Sequence, residues 1–524
     1  MTHNPPQIQL PPSMTFSAAK ADMDINAARQ RLNNIKNFET AYKGASHSRR
    51  GLSGWNASSG SANRDLEHDR RTLTQRSRDA YRNDALAGAA IDRSAQNVVG
   101  PGIRPMPDIN HKALGITEEA AQDMKDDVMG EFAAFAESYE FDCERRLSFP
   151  MMQYVAFISS LMSGDTFVHA ESFDRSGSTC RRKFRLIEAD RVCNPHGLPD
   201  TDKLVGGVES DGHGAPLYYH VLNVHPGDYS YYKAPRWERV RAFGPLTGRR
   251  LMLHITGPLT RPGQARGVPF IAPVMEELKQ FGRYTDSELM RAVVQSYYTA
   301  FVETAEGSFP QLTNEERQVM ASEGLSEDDL RADRYNNDPS FHLDYGTIAM
   351  LQAGDRIKFP QTTAPNSVFG QFQQHIATSL GARLGIPVEV LLMSFNGSYS
   401  AARAAMLESW RLFILQREWF NRQFNQPVYE LFWDELVASG RVDAPGYSDP
   451  RLQRVYQHCL WVGPPRGQID EGKEVKAASD RIKFGLSTLE EETIKLTGGD
   501  WRANQAQIKR EQAGRPVEES LKGE

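Results

Sequence analysis

The sequence predicts an α+β fold that is mainly α. Three observations carry that reading. Segments 271–303 and 368–384 repeat apolar residues at a period near 3.6, as helices with one covered face do. Segment 400–438 keeps the same period over an even longer run. Between 166 and 259 the pattern changes to short apolar runs separated by Gly, Pro, Asp and Asn, which read as strands and turns.

Taken in order, residues 1–63 read as a flexible N-terminal arm. They open on a Pro-rich tail, pass through a moderately helical stretch, and end in a loop rich in Ser, Gly and Asn. A helix is expected over 65–99, with Leu66, Leu73, Ala80, Leu86, Ile91 and Val98 on its apolar side. It carries Arg70, Arg71, Arg76, Arg78, Arg82 and Arg93, but Asp65, Glu67, Asp69, Asp79, Asp84 and Asp92 are interleaved. Such mixing favours a solvated or subunit-facing surface over a nucleic-acid stripe. Gly100-Pro101-Gly102 stops it. Further helices are expected from Thr117 to about 138, with Glu118 and Glu119 in the first turn, and over 149–164. Strands are expected at 166–170, 183–187, 218–222 and 251–255.

The 271–303 stripe runs Ile271, Val274, Leu278, Phe281, Leu289, Val293, Tyr297 and Phe301, with Pro269 and Pro273 at its start. A helix of that length spans roughly 50 Å, long for a globular core and suited to a column. Residues 303–355 then turn acidic, from Glu315-Glu316 through Glu327-Asp328-Asp329 to Asp338, and a strand-like run at 347–351 closes them. The second column helix places Phe369, Phe372, Ile376, Leu380 and Leu384 on one face, and Gly385-Ile386-Pro387 ends it. The long helix that follows should kink at Pro427. A strand at 456–461 and helices at 471–484, 488–496 and 504–512 close the chain.

The chain has 524 residues, 40% hydrophobic and 24% charged, with a formal net charge of −6. That balance argues against a tight nucleic-acid binder, which would be basic overall or carry a basic stripe. It is compatible with a surface past which DNA slides. Four irregularly spaced cysteines, Cys143, Cys180, Cys193 and Cys459, suit a reducing compartment. Residues 1–12 are polar and Pro-rich rather than export-like, and no run of about 18 apolar residues predicts a membrane span.

The motifs of common chemistries are missing from the sequence. It has no phosphate-cradling P-loop, no H-E-x-x-H, no C-x-x-C and no G-x-S-x-G. Cys180, Cys193 and His196 are too widely spaced for a zinc site, and Asp22, Asp24 and Asn26 lack the rest of a calcium loop. His169, Glu171, His220, His225 and His254 fall in the strand region, where satisfied or exposed histidines outweigh a catalytic dyad. No catalytic residue, cofactor or metal is expected.

Several short blocks follow one another along the second half of the chain. They are Arg266-Gly-Val-Pro-Phe-Ile-Ala-Pro-Val-Met-Glu-Glu-Leu-Lys279, Leu351-Gln-Ala-Gly-Asp355, Ala382-Arg-Leu-Gly-Ile-Pro387, Ser398-Tyr-Ser-Ala-Ala-Arg403, Glu408-Ser-Trp410 and Trp461-Val-Gly-Pro-Pro465. Asp470-Glu-Gly-Lys473 and Gly485-Leu-Ser-Thr-Leu489 complete the series. In that order they resemble the lambda-type portal family of tailed bacteriophages, from about 70 to 511.

The resemblance implies a portal fold with wing, stem, clip and crown, assembled as a ring, usually of twelve subunits, at one capsid vertex of the virion. It implies a wing over 64–265, a first stem helix over 266–302, a clip over 303–365 and a second stem helix over 366–385. A tunnel loop over 386–400, a long kinked wing helix over 401–445, and a crown with a C-terminal tail over 446–524 complete it. The implied partners are further copies of the chain, the terminase motor, the head–tail adaptor, the major capsid and scaffolding proteins, and double-stranded DNA passing through non-specifically. No membrane is implied, and synthesis would be in the host bacterial cytoplasm. Lys279 and Arg283 would brush phosphates from the first stem helix, and Asn396, Ser398 and Tyr399 would touch the DNA backbone from the loop. Their plainer roles are exposed column charge and loop polarity. Two rivals stand beside this reading. A phage DNA-processing or hydrolytic enzyme would need a partnered catalytic site, and a non-ring structural adaptor would differ in assembled mass.

Overall fold

A computed structural model describes residues 24–29, 43–45, 50–52, 54–55, 57, 59–228, 234–297, 301–304, 313–324, 326, 355–358, 369–394, 399–467 and 470–514. The chain divides into two units, Met1–Ser61 and Ala62–Glu524. The larger unit holds the elements that follow.

The basic-and-acidic helix expected over 65–99 is two helices, Ala62–Asn83 and Ala85–Val98. The break is at Asp84, whose backbone is extended and whose carboxylate accepts from the Leu86 and Ala87 amides. That carboxylate satisfies amides that a new helix start would leave unpaired. Asp84→Ala should therefore lower stability by about 1 kcal/mol, read as a modest fall in denaturation midpoint with unchanged slope. Several of the arginines are spent within the chain: Arg70 pairs with Glu67 at 2.9 Å and Arg78 with Asp190 at 2.5 Å.

The helix Glu118–Ala136 is capped by the Thr117 hydroxyl, which accepts from the Ala120 amide. Phe149–Ser163 begins with Pro150 in its first turn and ends at Gly164, whose φ of 91° suits glycine. Against these helices lies a three-stranded antiparallel sheet in the order β3 (Arg182–Ile187), β2 (Asp165–Ser172), β8 (Met252–Thr256). A four-stranded sheet of β4 (Leu204–Val205), β5 (Val208–Ser210), β6 (Pro216–Leu222) and β7 (Trp237–Arg241) follows chain order. Leu222 and Trp237 are Cα partners at the outer end of the β6–β7 pair.

The core is aromatic. Phe132 meets Phe149 at 5.5 Å and Phe432 at 5.1 Å, both edge-on, and Phe141 stacks on Phe184 at 4.7 Å. Edge-on and offset pairs add to the burial of large rings. Through these rings the helices Glu118–Ala136 and Phe149–Ser163, strand β3 and the late helix Gln426–Ala438 share one interior.

The long late helix runs as Tyr399–Phe420, a π-helical segment Asn421–Asn425, and Gln426–Ala438. The irregularity sits just before Pro427. Proline has no amide to give the carbonyl four residues earlier, so the helix must widen or bend there. A helix Pro450–Tyr456 precedes β11 (Cys459–Val462), which pairs antiparallel with β1 (Arg104–Pro107).

Three helices, Glu471–Lys483, Leu489–Thr497 and Trp501–Gly514, end the described chain. Arg481 ties the first two by donating to both oxygens of Glu492, at 2.9 and 2.5 Å. Hydrogen bonding from Arg481 pulls the Glu492 carboxyl from its ordinary 4.5 down to about 2, against the opposing effect of burial. A carboxyl depressed in the folded state stabilises above its ordinary value and loses that contribution as pH falls through the folded value. Glu492→Gln should therefore melt below wild type at pH 6, and the gap should close between pH 4.5 and about 2. Thermal melts across that range check it, and a gap independent of pH would refute it.

Candidate channel helices and their anchor

Two helices stand out from the packed body. The outgoing one, Met275–Tyr297, follows a short 3-10 turn, Ala272–Val274, with Pro273 in it. At 23 residues it is about 35 Å long, shorter than the sequence pattern suggested. The pattern ran on to Phe301 because that residue is apolar. In the structure Phe301–Thr304 is instead strand β9, paired antiparallel with β10 (Asp355–Lys358). The two strands bring together the ends of the acidic segment 305–354. The strand-like run at 347–351 lies outside the described residues. The return helix is Phe369–Leu384, within a residue of its expected start.

Burial along these helices is graded. At the end near the body, Val274 in the preceding turn, Leu278 and Phe281 on the outgoing helix, and Leu380 and Leu384 on the return helix are buried. Further out, Leu289 is 64% exposed although it continues the same stripe, and Phe372 is 44% exposed. Between these levels Tyr284 packs edge-on to Phe372 at 4.9 Å and lies 6.0 Å from Phe369. The apolar stripes thus run past the point where this chain's described residues cover them.

Lys279 and Arg283 are both exposed on the outgoing helix, four residues apart and so on one side. Asp286 and Met290 extend that line at helical spacing, and both are exposed. Neither Lys279 nor Arg283 forms an ion pair among the described residues. Asn396 and Ser398 lie outside the described residues. Tyr399 is the first residue of its helix. The loop expected over 386–400 contains a single helical turn, Val388–Leu391.

The outgoing helix is tied to the body by a buried charge pair that sequence reasoning missed. Arg266 is 0% exposed and Asp165 1% exposed. Arg266 Nε donates to Asp165 Oδ2 at 2.6 Å and Nη2 to Oδ1 at 2.9 Å. Its remaining donors go to the carbonyls of Val192 (2.8 Å), Ala189 (3.0 Å) and Gly206. All five guanidinium donors are therefore used. The Gly267 amide donates to Asp165 Oδ2 at 3.0 Å, and His254 Nε2 lies 3.1 Å from the same oxygen. Burial alone would raise the Asp165 carboxyl, but the charge and hydrogen bonds of Arg266, with help from His254, hold it well below the usual carboxylate range. Burial, only partly offset by Asp165, pushes His254 down, which keeps it neutral near pH 7.

Glycines permit this approach. A Cβ on Gly164 would come within 2.6 Å of the Gly267 carbonyl oxygen, and a Cβ on Gly267 would collide with the Gly164 carbonyl. The sequence signal was two glycines flanking opposite charges, Gly164-Asp165 and Arg266-Gly267, but 101 residues separate the pair.

The other three histidines named from the strand region are also paired. His169 lies 3.3 Å from Glu171, His220 3.0 Å from Glu209, and His225 3.6 Å from Asp190. Glu209 is further held by Arg239, at 2.6 Å. Each of these pairs lies in a strand or a turn beside one. Cys180 and Cys193 are not brought together as a ligand set: Arg441 donates to Cys180 Sγ at 3.4 Å, and the Trp237 indole donates to Cys193 Sγ at 3.4 Å. Among the described residues no helix is long and apolar enough to cross a membrane.

Comparison with known proteins adds an independent line. The chain is 28% identical over 472 residues to the portal protein of Escherichia phage N15, covering 88% of this chain and 87% of that protein. It is 27% identical over 473 residues to portal protein B of Escherichia phage lambda, with the same coverage of 88% and 87%. Among solved structures it is similar to a chain from the neck of a native gene transfer agent particle computed with C12 symmetry. That match has a TM-score of 0.43 and 12% identity, over 82% of this chain and 93% of the other. The family described as phage portal protein, lambda family, matches residues 48–417, well over half the chain. The chain belongs to the lambda family of phage portal proteins.

Proposed function

We propose that copies of this chain close into a ring at one capsid vertex and that phage DNA enters and leaves the head through its centre. The observation that carries this reading is the graded burial of the two protruding helices. Their apolar stripes are covered at the body and uncovered beyond it, at Leu289 and Phe372. A second copy placed beside the first supplies the missing cover, and a head-to-tail contact of that kind closes into a ring when the rotation permits. Twelve copies is the number the family resemblance implies.

In this ring the helices Met275–Tyr297 and Phe369–Leu384 form the stem. Segment 303–365 is the clip, which meets the terminase during packaging and the head–tail adaptor afterwards. Residues 64–265 and 401–445 make the wing, and 446–524 the crown and tail. The scaffolding and major capsid proteins meet the ring from the head side.

The stripe Lys279, Arg283, Asp286 and Met290 fits a wall past which DNA moves. Each phosphate neutralised by Lys or Arg adds affinity and salt dependence, and many such contacts would resist sliding. Two cations followed by an anion and an apolar residue keep contact weak. Asn396, Ser398 and Tyr399 would add polar, uncharged contacts from the tunnel loop. The motor is a partner's, so this chain positions DNA and performs no chemistry on it.

Native mass measurement and negative-stain imaging of the purified chain test the reading. The expected particle is annular, with a mass near twelve times the 58.8 kDa subunit. A stable monomer at micromolar concentration would instead favour a non-ring adaptor, and turnover of DNA or peptide by the purified chain would favour an enzyme.

A further inference from the structure

A cavity beyond the C-terminal end of the return helix has the composition of a binding site. It encloses about 260 Å³ between the helix Ala85–Val98, the turn Val388–Leu391, the helix Tyr399–Phe420 and the start of Glu471–Lys483. Its floor is apolar, with Trp410 and Phe413 meeting edge-on at 6.4 Å. From behind, the Arg417 guanidinium lies 5.3 Å over the Trp410 ring and donates to the carbonyls of Asn97, Val98 and Pro464. That holds the floor in place without placing Arg417 in the cavity.

The rim is cationic. Arg93, Arg403 and Arg466 line it, against a single carboxylate, Glu474. Glu474 is 9% exposed and already accepts from Arg403 at 2.5 Å and Arg466 at 2.7 Å. Three guanidiniums around one carboxylate leave the cavity positive. Among the described residues Arg93 is the member without an acid: it donates through Nη1 to Gln96 at 2.7 Å, while its Nε is buried with no hydrogen-bond partner among them. Arg93 is half-buried and lines the cavity, so a ligand carboxylate there meets a guanidinium that has no acid of its own among the described residues.

The geometry points to this cavity as a docking site for an acidic peptide, one whose carboxylate side chain reaches Arg93 while a neighbouring apolar side chain lies on Trp410 and Phe413. The apolar floor favours a peptide over a DNA backbone, because a duplex offers phosphates but nothing to fill an enclosed hydrophobic bottom. The mouth suits a peptide as well. Met393 stands there 57% exposed, and a thioether adapts its shape to what packs on it. The lining residues all belong to one copy, so the test does not depend on the ring.

The test uses the full chain and the C-terminally amidated peptide Leu-Glu-Glu-Phe carrying a neutral rhodamine-type label, beside Leu-Gln-Gln-Phe with the same label and amide, so that the two differ only in side-chain charge, with binding read by anisotropy. The acidic peptide should bind at least about tenfold more tightly, and Arg93→Gln should remove about that factor, as loss of a charged hydrogen bond does. Arg93 is half-buried with one side-chain partner, so the variant should melt with wild type. Should it not fold, the comparison of the two peptides on wild type and its weakening by salt still decide the question. Equal binding of the two peptides, or an unchanged affinity in a folded R93Q, overturns the proposal. Displacement of the peptide by short duplex DNA, with the same dependence on Arg93, also overturns it, since the site would then be one for phosphate.

Discussion

Arg266→Met should lower stability by about 3–5 kcal/mol, the cost of leaving a buried charge without its partner. Asp165 would lose both arms of the guanidinium, and the carbonyls of Val192, Ala189 and Gly206 would lose their donor. Arg266→Lys should also be costly, because one ammonium cannot replace a planar fork that reaches two oxygens and three carbonyls. The double variant Asp165→Leu with Arg266→Met should recover much of the loss, since it removes both charges together. Denaturant midpoints at equal slope give the comparison. If R266M unfolds with wild type, the pair is not the anchor described here.

The pair also has a pH signature. Asp165 is depressed in the folded chain, so its contribution is complete above its ordinary 3.8 and fades only as pH falls far below that value. In R266M the same carboxyl, buried without its partner, is pushed up instead, so its protonation relieves the penalty and the gap between wild type and R266M should narrow as pH falls from neutral. Functionally, the pair fastens the segment that leads into the outgoing helix to strand β2 and to the turns before β4 and β5. Its failure would let that helix tilt away from the body even where the body stays folded.

How much of this was legible beforehand depends on the range of the interaction. The outgoing and return helices were readable because Leu278 with Phe281, and Leu380 with Leu384, repeat locally at the helical period. The end of the outgoing helix was not, because Phe301 fits the stripe and only its pairing with Lys358 makes it a strand. The break at Asp84 had a local signal, an Asp before an Ala-rich run, which the continuing stripe of Leu86 and Ile91 masked. Pro427 marked the irregularity in the long helix, and its form is a π-helical segment just before the proline. Strands β4 and β5 are too short to show alternation, and β1 pairs with β11 across most of the chain. At the candidate site, Lys279 and Arg283 lie on an exposed side, while Arg266 and Asp165 carry no sign of each other in the sequence. Local periodicity is written in neighbours; a buried ion pair is written in topology.

Leu289→Asp should abolish the annular particle while leaving the single chain folded. The two halves of that outcome follow from one observation. Leu289 is 64% exposed, so a charge there costs the isolated subunit little. In a ring the same side chain sits between helices of adjacent copies, where a carboxylate would be buried without a partner at a cost of several kcal/mol per subunit. That penalty recurs at every contact around the ring, so it acts cooperatively on assembly rather than on folding. Leu289→Met, similar in volume and still apolar, should assemble normally. Size-exclusion with light scattering and a thermal melt on the same samples separate the two effects. A ring that forms with L289D would mean that this stripe faces solvent in the assembly, and that the uncovered helices are not where neighbouring copies meet.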